Sequence, residues 1–150
     1  MNARKHVILI TLGACIVGLS ALGSLKNPVT RPLKAHGRGT LVADLRDGSL
    51  EAHTVSQSTF SGLTATESVG AMDLATWTPI WSEGIATAAN GDQMFYEMTD
   101  PVTCVFTGGT GRFEGATGSA TQGVSDVVVK VEWPVMTMTF NFTLDGTVTY

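Results

Sequence analysis

Residues 136–144 read MTMTFNFTL, in which Met136, Met138, Phe140, Phe142 and Leu144 alternate with Thr137, Thr139, Asn141 and Thr143. A period of two places all five apolar side chains on one face of a strand. Just upstream, Val127, Val129, Val131 and Trp133 fall on one face and Val128, Lys130 and Glu132 on the other, with Pro134 marking a turn or strand edge between the two runs. The same reading predicts strands over residues 35–44, 49–60, 63–73, 80–89, 93–99 and 102–107, and a short last one at TVTY, residues 147–150.

The punctuation between these runs agrees with them. Asp47-Gly48, Asn90-Gly91 and Asp145-Gly146 are dipeptides favoured by tight turns that need positive φ, and each lies between strand-like runs. Eight or nine short strands at such spacing predict an all-β antiparallel barrel or sandwich. Two strand ends, ADLRDG and MDLATW, resemble each other and suggest one turn device used twice. Composition strengthens the reading: 15% of residues are charged and 17 are Gly, which suits strands and turns better than helices.

The N-terminus follows a different pattern. Arg4, Lys5 and His6 precede an apolar run over residues 7–25, which is export chemistry rather than fold. Small residues at Ala21 and Gly23 ahead of Ser24 suit a cleaved signal peptide. The run is also about 28 Å long as a helix, enough for an uncleaved membrane anchor. LGAC, residues 12–15, offers a third reading as a lipobox with Cys15 as the lipidated residue, although the apolar run before Cys15 is short and the residues after it are apolar. The expected organisation is a signal or anchor over 1–23, a linker over 24–33 and a barrel domain over 34–150. All three readings place that domain outside the cytosol: secreted, periplasmic or at the cell surface, with membrane contact only through the N-terminal segment.

Removal of residues 1–23 takes Arg4 and Lys5 from the 9 basic residues and none of the 13 acidic ones, leaving 7 against 13 and a formal charge of −6. Such a balance argues against a nucleic-acid surface, which needs clustered Lys and Arg. Cys104 would then be the sole cysteine, so the core must stabilise the fold without an intramolecular disulfide.

Residues 106–118, FTGGTGRFEGATG, concentrate glycine at positions 108, 109, 111, 115 and 118. A dinucleotide fingerprint needs G-x-G-x-x-G ahead of a helix, whereas Gly109, Gly111 and Gly115 give G-x-G-x-x-x-G and the following residues lack a helical period. No Lys is present for a P-loop, and Glu114 would oppose phosphate. The segment Gly108, Gly109, Gly111, Phe113, Gly115 and Gly118 is therefore expected to be structural, supplying positive φ and close approach between two strands, with Phe113 inward and Arg112 and Glu114 in water.

This segment, with the alternating residues 135–146, resembles the C-terminal half of allene oxide cyclases. Its Gly-Gly-Thr-Gly-x-Phe element is also similar to that of plant dirigent proteins. With the hairpin GIATAANGDQ, residues 84–93, it resembles small secreted bacterial proteins of unassigned function as well. The resemblance implies an eight-stranded antiparallel barrel with an apolar cavity, often in a trimer or dimer. The cyclases' catalytic carboxylate and water-holding cluster lie mainly in their N-terminal strands and find no match in KAHGRGTLVADL or SLEAHTVSQSTF, so no catalytic residue is carried over.

Among the residues themselves, Glu51, Glu67, Glu83 and Glu97 fall in expected strands, where any one turned into an apolar lumen would be a general acid or base. Strand carboxylates ordinarily face water. His36 and His53 have no metal-ligand spacing around them, and no cofactor or metal is expected. The cavity candidates are Trp77, Trp81, Tyr96, Cys104 and Trp133, with Phe95 beside Tyr96 at an expected rim and Met94, Met98, Met136 and Met138 as a soft lining. The expected function is an exported small barrel, a non-catalytic binding or structural module whose partner is a small apolar molecule. The alternatives are a cyclase- or dirigent-like enzyme steering a small apolar substrate, and a subunit of a homo-oligomer that assembles through exposed barrel faces.

Overall fold

In the computed structural model, which describes residues 27–150, the chain forms eight strands in sequence order. They are β1 (Thr30–Asp44), β2 (Ser49–Ser58), β3 (Gly62–Asp73), β4 (Thr78–Ala88), β5 (Gln93–Met98), β6 (Thr103–Gly109), β7 (Thr117–Glu132) and β8 (Val135–Thr149). Each pairs antiparallel with its neighbour and β8 closes on β1, giving the all-β barrel that the alternation predicts. The apolar run 7–25, with Cys15, lies outside the described residues.

Closure is staggered. The chain of direct partners Ala43, Leu50, Gly70, Ser82, Met98, Cys104, Ala120 and Gly146 runs once around the barrel and meets β1 again at Leu33, ten positions from its start at 43. This shear tilts the strands and opens an interior wider than a flat closure would leave.

Two expected boundaries differ. β1 begins at Thr30, inside the segment expected as linker, because Thr30 to Lys34 pair with Thr149 to Asp145. Asp145-Gly146 is not a turn: β8 runs straight through it to Thr149, taking in residues 147–149. Gly146 is needed there for close approach, since a Cβ would overlap the Ser119 carbonyl oxygen on β7. The other two dipeptides do turn, with Gly48 at φ 78° and Gly91 at φ 87°. The repeated strand-end device is also present: Asp44 accepts a hydrogen bond from the Arg46 backbone N–H (2.9 Å), and Asp73 accepts one from that of Ala75 (2.7 Å).

The glycine segment joins β6 to β7 through a single 3-10 turn, Gly111–Phe113. Gly108, Gly111, Gly115 and Gly118 all have positive φ, while at Gly109 a Cβ would overlap the Gln93 carbonyl oxygen. Phe113 is 1% exposed and plugs one end of the barrel, meeting Phe60 and Tyr150 with ring centroids 5.8 and 5.5 Å away. Arg112 lies over the Phe113 ring at 4.7 Å and reaches Asp92 at 3.4 Å, so the charge stays outside as expected. Leu41, Ala43, Leu50, Ala52, Met72 and Met136 fill the opposite end. Of the alternating run on β8, Met136 and Phe142 are buried, and Met138, Phe140 and Leu144 pack partly buried against the same interior.

Candidate ligand cavity

Between the two plugs lies a cavity of about 140 Å³. Its two walls differ because residue size differs around the barrel. The inward positions of β2, β3 and β4 carry Thr54, Ser56, Ser58, Thr64, Thr66, Ser68, Ser82 and Ala86, all small, whereas β5, β6 and β8 send in Met94, Tyr96, Met98, Phe106, Phe140, Phe142 and Leu144. The large side chains cannot reach across to the small ones, and the space is left open. One wall is hydroxylated and the other is apolar and aromatic.

Two glycines let the rings lie flat against the barrel wall. A Cβ on Gly84 would collide with the Tyr96 ring, and one on Gly39 with that of Phe140. On the hydroxyl wall, Ser58 and Ser61 share a short hydrogen bond, Ser61 is 3.0 Å from the Thr64 hydroxyl, and the Ser58 hydroxyl accepts from the Ser61 backbone N–H at 3.0 Å.

Burial pushes the Tyr96 phenol up to about 12, against the opposing pull of a hydrogen bond to Ser68, and pushes the Cys104 thiol up to about 12. Both groups are therefore neutral at physiological pH, and Cys104 has no thiolate to serve as a nucleophile. The single carboxylate on the lining is Asp100, exposed where the β5–β6 turn meets the cavity. Its Oδ1 accepts the backbone N–H groups of Val102 (2.8 Å) and Thr103 (2.6 Å), bonds that hold its pKa down and keep it ionised. Pro79, Trp81, Pro101 and Gln122 line the same cavity.

Of the five aromatic and thiol residues singled out from sequence, Trp81, Tyr96 and Cys104 line the cavity. Trp77 and Trp133 do not. Trp77 has φ 59° in the β3–β4 turn and is 50% exposed, and Trp133 is 74% exposed at the tip of the β7–β8 hairpin, both past the end of the lumen. Phe95 alternates outward from Tyr96 and borders the outer surface with Glu51, Glu67, Glu83 and Glu97, so none of these four carboxylates enters the lumen. His53 lies on that outer surface too, and among the described residues no group of three or more metal-ligating side chains is gathered. Sequence reading missed the hydroxyl wall. Its signal was the Ser and Thr at every even position from 54 to 58 and from 64 to 68.

No family model and no curated protein matches this chain. A solved structure described as pyocyanin demethylase is similar over 76% of this chain and 99% of its own, with a TM-score of 0.44 and 16% identity. At that distance the likeness carries nothing about activity.

Proposed function

We propose that this chain is an exported binding module whose barrel holds a small, uncharged, largely apolar molecule carrying hydrogen-bonding groups along one edge. The observation behind this reading is the two-sided lumen: hydroxyls on β2–β4 face aromatic and thioether side chains on β5, β6 and β8, and the only ionised lining group, Asp100, stands at the rim. A charged ligand would lose its hydration in such a lumen without gaining a counter-charge. The size of the space sets the scale, since an apolar cavity of about 150 Å³ accommodates benzene. Resemblance of the glycine segment to allene oxide cyclases and dirigent proteins agrees with a cavity-bearing relative, and the basic-then-apolar N-terminus supports export. A non-catalytic role is favoured over a cyclase-like one because the four strand glutamates face outward.

The test compares cyclohexanol, cyclohexanecarboxylate and cyclohexylamine as stabilisers in thermal denaturation, since a ligand of the native state raises the midpoint in proportion to its occupancy. The alcohol should raise the midpoint and the two ions should not, and Thr66→Phe, which fills the lumen, should abolish the effect. Equal stabilisation by all three, or by none at millimolar concentration, would overturn the reading. Native mass spectrometry of the protein from its own cells would then identify any molecule that co-purifies.

A further inference from the structure

Of the side chains that line the cavity, only Trp81, Asp100 and Pro101 are exposed, Trp81 by 45%. All three lie where β4 begins and where β5 turns into β6. Strand pairing explains why the cavity reaches solvent there. β5 ends at Met98 opposite Ser82, and β6 starts at Thr103 opposite Thr121, whereas β4 extends back to Thr78 and β7 runs on to Glu132. Past the β5–β6 turn the wall therefore lacks two strands, and β4 and β7 stand three strand spacings apart along it, roughly 14 Å.

The β7 flank of this slot carries the apolar face of the lumen outward. Residues directly opposite each other in a sheet point to the same side. Val124 pairs with Phe142, Val129 with Met138 and Val131 with Met136, and these three partners pack into the barrel interior. The bulge between Ser125 and Val128 adds one residue, so the inward positions of β7 change from even to odd numbers. In a complete wall such valines would be covered, yet Val124, Val129 and Val131 are 46%, 50% and 48% exposed. They follow Gln122, which lines the cavity, and extend its face as an apolar track of roughly 20 Å from Val124 to Val131. Lys130 and Glu132 sit on the other face, opposite Thr137 and Val135, so the track carries no charge.

We propose that the ligand is longer than the lumen: its hydrogen-bonding end lies against the hydroxyls of β2–β4, and an apolar end leaves through the slot to lie along Val124, Val129 and Val131. This rests on the cavity reading and extends it. A lumen of about 140 Å³ holds a single six-membered ring, so any part of a ligand beyond one ring must use the slot. Continuity points to this occupant, because the track begins at the lining, keeps to its face and stays uncharged along its length.

Thermal denaturation of the full chain with cyclohexanol, 4-ethylcyclohexanol and 4-pentylcyclohexanol tests the proposal, with Kd taken from the shift of the midpoint. A methylene buried on all sides is worth roughly fourfold in affinity, and one covered on a single side about twofold. Kd should therefore fall at least about tenfold from the first alcohol to the last. Val129→Asp and Val131→Asp should each reduce that gain to less than about threefold, since a carboxylate on the track would be desolvated by the alkyl chain. Val128→Asp, on the outer face opposite Thr139, should retain the gain. Circular dichroism verifies that each variant folds, and the wild-type series decides on its own whether the pentyl chain is bound. Binding of cyclohexanol with no gain from the pentyl chain would overturn this proposal and leave the lumen reading standing, whereas no binding of any of the three at millimolar concentration would overturn both. A gain that survives both inward substitutions, or that Val128→Asp abolishes equally, would put the pentyl chain elsewhere and overturn the proposal. So would a chain that sediments as a dimer and takes cyclohexanol but not its pentyl derivative, since a second copy would then cover the track.

Discussion

Two glycines of the β6–β7 connection separate backbone strain from steric contact, and alanine at each should cost very different amounts. Gly115 has φ 72° with nothing within 4 Å of a Cβ placed on it. Gly115→Ala therefore meets only the cost of a left-handed conformation, about 1 kcal/mol. Gly118 has φ 132°, a region that side-chain-bearing residues rarely adopt, and its Cβ would overlap the Thr147 carbonyl oxygen and stand 3.1 Å from the Val148 Cα. Those neighbours are backbone of β8, which pairs with β1 along its whole length and cannot swing aside. β7 would have to draw away from β8 beside Phe113 and Val148, two of the most buried side chains. Strain and overpacking together amount to roughly 3–5 kcal/mol for Gly118→Ala. For a domain of this size each kcal/mol lowers the melting temperature by roughly 3–6 °C, so the two variants should differ by about 6–24 °C. Urea unfolding followed by tryptophan fluorescence, with the slope m checked for constancy, gives both values. Equal losses would refute the assignment of this segment to close strand approach.

Further outcomes follow from burial and charge. Because burial pushes the Cys104 thiol up to about 12, its alkylation at pH 8 should be slower in the folded protein than in urea by about three orders of magnitude, read by mass on the Cys104 peptide; comparable rates would show the thiol to be open to solvent. Asp44 is held near 2 by its hydrogen bonds from the Arg46 side chain and backbone. A carboxylate depressed in the folded state contributes stability above its unfolded value of 3.8 and loses it as pH falls toward 2. Asp44→Asn should accordingly flatten the fall in melting temperature between pH 4 and pH 2. It should not abolish that fall, since Asp47, Asp73 and Asp100 are lowered as well. An unchanged slope would count against the Asp44–Arg46 contact.

The parts of this protein legible in the sequence are those governed by local chemistry. Alternation along residues 136–144 put five apolar side chains on one face of β8, and Asp47-Gly48 and Asn90-Gly91 turned where their dipeptides favour positive φ. Asp145-Gly146 failed as a turn because the same glycine serves two needs: a tight turn and a close approach between strands. Partners from β7, distant in sequence, determined which applied. The two misplaced tryptophans lie at strand connections, Trp77 with φ 59° in the β3–β4 turn and Trp133 at the tip of the β7–β8 hairpin, where alternation along a strand does not fix which way a side chain points.

The order of apolar and polar positions thus determined by itself that the chain forms antiparallel strands, and the glycines determined where it can bend and where strands can touch. Inside and outside were left open, because a period of two defines two faces without saying which one a closed sheet encloses. The tertiary structure decided that by closing β8 on β1 with a ten-residue stagger. That closure gathered hydroxyls from three adjacent strands against rings from the opposite wall, forming a lumen no single segment encodes. The same stagger carried β7 past the end of β6, and its run of valines became an exposed edge.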